Sequence, residues 1–159
     1  MELRDRQVLS LLYFMKGEYK MINSVNISEQ TVTANNNVLF SNDVVRTRSA
    51  NCCQPCGWLN HSTGSGLFQL VKDGIYEILF NANITSAVAG PVSFAIKSNG
   101  EILQGSQMIF TATANATSNV SSSRLVRVCS NGSTTISVGN IGTGSVTVAN
   151  PNIIIKKVA

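Results

Sequence analysis

The sequence predicts an all-β domain built as a sandwich or barrel of about ten short strands. Three observations predict it. Ser, Thr and Asn fill 48 of the 159 positions, while only 13% are charged. Apolar residues reach 43%, too many for a chain that stays disordered, which needs low hydrophobicity and high net charge. From residue 22 onward the hydrophobic pattern has period two, and turn signals recur at the spacing of short strands.

The strands follow in order. In Tyr76-Glu77-Ile78-Leu79-Phe80-Asn81-Ala82-Asn83-Ile84 one parity is apolar throughout and the other mixed, which is a strand with one dry face. The same alternation runs through Val92, Phe94 and Ile96, and through Met108, Phe110 and Ala112. It returns at Ile136 and Val138 and at Val146 and Val148. Asp73-Gly74 and Gly90-Pro91 open strands, and Asn131-Gly132 separates two. Asn99-Gly100 is a hairpin signal, because a type I′ turn needs positive φ at both central residues. Asn115 to Ser123 is a polar tract, read as a long loop or a polar edge strand. The closing run, Asn152-Ile153-Ile154-Ile155-Lys156-Lys157-Val158, has the apolar continuity of a central strand or of one at a subunit contact.

Residues 1–21 read apart from 22–159. Leu3, Leu9, Leu11, Leu12 and Met15 are good helix formers, and no Gly occurs before Gly17. A docking or oligomerisation helix fits this segment. So does an upstream extension, with the domain proper starting at Met21.

The net charge of +4 comes from scattered bases, with no run that could follow a phosphate backbone, so no nucleic-acid partner is expected. The longest apolar stretch, Val8 to Met15, is far short of the roughly 20 residues a spanning helix needs. It also makes a poor signal peptide, since Glu2 and Asp5 dilute the basic start and no small-residue cleavage site follows. No membrane partner is expected, and synthesis in a cytoplasm is.

The order of elements also resembles a known superfamily. Asn37-Val38-Leu39-Phe40 leads to an irregular middle containing His61 and Gly64-Ser65-Gly66. Phe68-Gln69-Leu70 then turns into Gly74-Ile75-Tyr76, and a closing strand runs from Asn152 through Ile155 to Val158-Ala159. This resembles the tumour necrosis factor-like jelly roll, which includes the globular heads of complement. Within it the chain looks most like small structural proteins encoded by phages and prophages of Firmicutes. The resemblance covers residues 22–159 and implies a ten-stranded jelly roll that associates as a homotrimer, without enzymatic activity.

Candidate chemistry is sparse. Cys53 and Cys56 have the spacing of a zinc-ligand pair, and Cys52 or Cys129 with His61 would complete four ligands. A zinc finger has two separated pairs, however, and this chain has one. A disulfide from Cys129 to the cluster and free thiols are the competing readings, and no cofactor is expected. No orienting acid accompanies a Cys–His pair, and one His cannot furnish the metal set of a jelly-roll enzyme. Trp58 is read as packing rather than as a sugar platform. Six Asn-x-Ser/Thr sequons, at Asn26, Asn60, Asn83, Asn115, Asn119 and Asn131, reflect a composition rich in those residues.

The expected function is therefore structural: a head-decoration, head-fibre or tail-associated trimer of a virion, binding other particle proteins or a host-surface glycan. The alternative is a glycan-binding adhesin of a bacterial surface or spore coat. The trimer is expected to bury apolar residues left over on the second parity, Ile75, Leu79, Ile109, Leu125 and part of Ile153-Ile154-Ile155. Phe68, Tyr76 and Ile155 are the residues expected near its axis.

Overall fold

The computed structural model describes residues 19–47 and 57–159. Those residues form twelve strands and no helix. They are β1 (Met21–Val25), β2 (Gln30–Val32), β3 (Asn42–Arg46), β4 (Leu59–Asn60), β5 (Phe68–Leu70) and β6 (Gly74–Thr85). Then come β7 (Gly90–Ser98), β8 (Glu101–Ile102), β9 (Met108–Ala112), β10 (Thr117–Val128), β11 (Thr134–Asn140) and β12 (Val146–Lys157). The sequence predicts about ten strands and the structure has twelve, of which β4 and β8 are the shortest. Each has two residues, too few for an alternating pattern to show.

Two antiparallel sheets face each other. The first runs β10-β6-β12-β1-β3, with β2 also beside β12. The second runs β4-β5-β11-β7-β8, with β9 also beside β7. The closing strand is central in the first sheet: Ile155 lies between Ile78 of β6 and Ile22 of β1. Its register shifts between Ala149 and Asn152, where Asn150 takes a φ of 49°. This bulge lets one edge of β12 serve β2 first and β1 afterwards. The polar tract of Thr117 to Ser123 is part of the edge strand β10, where one face meets solvent.

The period-two pattern explains the core. Ile78, Phe80, Ile84, Ile153 and Ile155 point inward from the first sheet and are fully or almost fully buried. Phe68, Leu70, Phe94, Ile96, Ile136 and Val138 meet them from the second. Burying each large side chain contributes roughly 1.5–3 kcal/mol, so these rows dominate the stability. Phe40 and Phe68 meet edge to face with centroids 5.4 Å apart, and Trp58 stacks on Tyr76 at 6.0 Å. Trp58 is thus a packing residue, its indole N–H donated to the Thr47 carbonyl at 3.0 Å.

Turn chemistry follows the sequence signals. Asn99 and Gly100 both have positive φ, 52° and 84°, as a type I′ hairpin requires. Gly66 is dictated by close approach: a Cβ there would lie 2.5 Å from the Val38 carbonyl oxygen.

Candidate functional site

Of the residues expected near a trimer axis, Phe68, Tyr76 and Ile155 have no exposed surface even in the single chain. They carry the inward parity of β5, β6 and β12, so they hold the two sheets together and offer nothing to a neighbour. The surface parity belongs to the residues between them.

That parity forms an apolar face on the outside of the first sheet. Leu79 lies beside Ile154, Ile154 beside Asn23, and Asn23 beside Val45. Leu125 flanks Glu77, and Arg127 flanks Ile75. Leu125 is 60% exposed, Val45 46% and Ile75 37%, and Leu79, Ile154 and Met21 are half-buried. The face is crossed by one ion pair, Lys156 Nζ to Glu77 Oε2 at 2.8 Å. Asn23 Oδ1 lies buried in it with no hydrogen-bond partner. Ile109, expected to share this surface, lies instead beside Ser93 on the other sheet, where it is 64% exposed.

His61 sits between the sheets' ends, stacked on Phe68 with ring centroids 3.9 Å apart. Its Nδ1 is 2.9 Å from the Leu67 carbonyl, which only accepts, so Nδ1 carries the proton. Nε2 faces Asp43 Oδ1 at 3.5 Å. Asp43 in turn accepts from the Ser24 hydroxyl at 2.9 Å and from Arg46 Nη1 at 3.2 Å. Arg46 also donates to the carbonyls of Leu59 and His61. The group ties β3 to residues 59–67 and leaves neither ring nitrogen open to solvent. Cys129 is exposed with a free thiol, and Cys52, Cys53 and Cys56 lie outside the described residues. Among the described residues no three His, Cys, Asp or Glu side chains cluster as a metal site would need.

A second feature lies on the outer face of the other sheet. It is an open cleft of about 530 Å³ lined by Asn35, Asn37, Leu67, Lys97, Asn99 and Ser137, with Thr135 and Gly100. The sequence did not announce it. Asn99-Gly100 registered only as a turn, and the run Asn35-Asn36-Asn37 carried no periodicity. The fold brings them together because residues 36–38 continue the second sheet beside β11, with Val38 N–H donating to the Val138 carbonyl at 2.8 Å.

No protein-family model matches the sequence, and neither does any curated protein. Solved structures do. An Eiger tumour necrosis factor from S. frugiperda superposes with a TM-score of 0.65 at 11% identity, covering 89% of this chain and 93% of that one. Murine APRIL at pH 5.0 gives 0.63 at 13% identity, covering 89% and 100%. The globular domain of a zebrafish complement 1qA protein gives 0.58 at 14% identity, covering 84% and 94%. The fold is the tumour necrosis factor and complement C1q jelly roll. At these identities the likeness is one of architecture.

Proposed function

We propose that this chain is a non-enzymatic binding and structural module that closes into a homotrimer through the outer face of the β10-β6-β12-β1-β3 sheet. The observation that carries the reading is that face: Ile75, Leu79, Leu125, Ile154 and Val45 on one surface, with the unpartnered Asn23 Oδ1 among them. Leu79 and Ile154 adjoin at its centre, and exposed apolar residues gathered on one face favour burial against a partner. A cyclic trimer buries it by a head-to-tail contact, which needs a second, different patch. The side where β9 and β10 edge the two sheets supplies one, through Ile109. The jelly-roll architecture and the superfamily resemblance support three-fold closure.

Within that module the role we propose is a head-decoration, head-fibre or tail-associated protein of a phage or prophage particle, contacting other particle proteins or a host surface. The small-polar β composition and the resemblance of residues 37–40, 61–66 and 152–159 support it. Gradient fractionation of particles from an induced lysogen, with mass spectrometry of each fraction, tests this role. The chain is expected with the assembled particles. Recovery only with the cell envelope would overturn the virion role in favour of a surface adhesin.

A further inference from the structure

We propose that the cleft on the second sheet binds an acidic sugar, a ring bearing both hydroxyls and one carboxylate, of the uronic acid type. The site lies within one protomer and outside the apolar face of the first sheet, so it goes beyond that reading and does not depend on it.

Gly139 lies beneath the Lys97 and Asn37 side chains at one end of the cleft. Residue 37 bridges to residue 139, and Ala95 pairs with Gly139 on the other side, so Asn37, Gly139 and Ala95 form one row across the sheet. A Cβ on residue 139 would lie 2.7 Å from Lys97 Nζ and 2.8 Å from Asn37 Oδ1. Glycine therefore lets the Lys97 ammonium and the Asn37 amide oxygen lie close over the backbone, side by side at the cleft.

The polar groups there are unspent. Asn37 Oδ1 is buried without a hydrogen-bond partner. No ion pair or side-chain hydrogen bond engages Lys97 or Ser137 among the described residues. Ser137 is only 3% exposed, so its hydroxyl is a built part of the wall rather than a surface ornament. By contrast Asn99 Oδ1 is already committed to the Thr135 N–H at 2.9 Å, which fixes the rim.

The complement of this set defines the ligand. Lys97 is the lone charge in the lining and calls for a single anionic group. Asn37 Oδ1 is an acceptor and calls for a donor set apart from the anionic group; a carboxylate ion has none, and a hydrogen phosphate carries its own on the charged group itself. Leu67 is the one large apolar residue in the lining, so a lipophilic or aromatic ligand would find too little to cover it. A hydroxylated carboxylate satisfies both: carboxylate to Lys97 Nζ, ring hydroxyls to Asn37 Oδ1 and the Ser137 hydroxyl. With no aromatic ring to stack on, affinity is expected on the order of millimolar.

The test is an amide chemical-shift titration of the full chain with D-glucuronate, D-glucose and inorganic phosphate as separate probes. Glucuronate is expected to move the amides of Asn99, Gly100, Ser137 and Gly139 saturably. Glucose and phosphate should bind at least about tenfold more weakly, the loss of one good polar contact. Lys97→Ala and Gly139→Ala should each abolish the shifts, the first by removing the charge and the second by displacing Lys97 Nζ and Asn37 Oδ1. The rest of each spectrum reports whether the variant is folded, and Lys97→Ala, at a partly exposed position, carries the test if Gly139→Ala is not. Absence of a saturable shift, equal binding of glucose, equal binding of phosphate, or unchanged binding by folded Lys97→Ala would each overturn the proposal.

Discussion

The Ser106 hydroxyl takes the place of a strand partner for Ile96. It accepts the Ile96 N–H at 3.1 Å and lies 3.0 Å from the Ile96 carbonyl and 2.8 Å from that of Leu103. Ser106 has no exposed surface, so a side chain completes a backbone ladder where β8 is too short to do so. Ser106→Ala would strand the Ile96 N–H away from water. A loss of about 1–3 kcal/mol is expected, measured as a lower urea midpoint at unchanged slope.

Asn140 plays the same part at the other end of the second sheet. Its Nδ2 donates to the Val32 carbonyl at 3.1 Å and to that of Gly144 at 2.7 Å, and its Oδ1 accepts the Gly142 N–H at 2.9 Å. It is 1% exposed. Asn140→Asp keeps the shape but points an acceptor at two carbonyls. It is expected to destabilise by about 2–3 kcal/mol, more at neutral pH than at pH 4, because only the ionised acid is repelled. Thermal melts at the two pH values check this.

Tyr76 gives an alkaline limit. Burial, and secondarily the charge of Asp73, push its phenol up to about 12, from an ordinary value of 10.0. The folded state therefore holds the proton where the unfolded chain releases it. Stability from this group is complete below pH 10 and falls as pH rises toward 12, by on the order of 2 kcal/mol. Tyr76→Phe removes the hydroxyl that donates to the Lys72 carbonyl at 2.8 Å. It should cost some stability at neutral pH and flatten the decline above pH 10, read by denaturant melts across that range.

Gly66→Ala tests the close approach at the loop entering β5. The added methyl would lie 2.5 Å from Val38 O, a backbone atom that cannot swing aside. A loss of about 1–3 kcal/mol in a denaturant melt is expected.

Much of this fold was legible because alternation is a local signal. The inward parity of β6, β7 and β11 reads straight from the sequence, and so does the Asn99-Gly100 hairpin, whereas the polar tract fits a loop as well as an edge strand and the run Ile153-Ile154-Ile155 has no parity of its own. Which parity faces a neighbour was harder. Phe68, Tyr76 and Ile155 are large and apolar, which marks them equally for a core or an interface, and only the packing of the second sheet decides between these. The Lys97 cleft was invisible for another reason. Its lining comes from residues 35–37, 97–100 and 135–137, and no local pattern announces that the topology sets them side by side.

The central claim is that the outer face of the first sheet closes a homotrimer, and light scattering of the chain beside its Leu125→Arg variant tests it most directly. Leu125 is 60% exposed, so arginine leaves the core intact while placing a charge in the contact. At micromolar concentration the unaltered chain is expected at three times its 17.0 kDa mass and the variant at one. A single-chain mass for the unaltered protein, or a trimer that survives the substitution unchanged, would contradict the account.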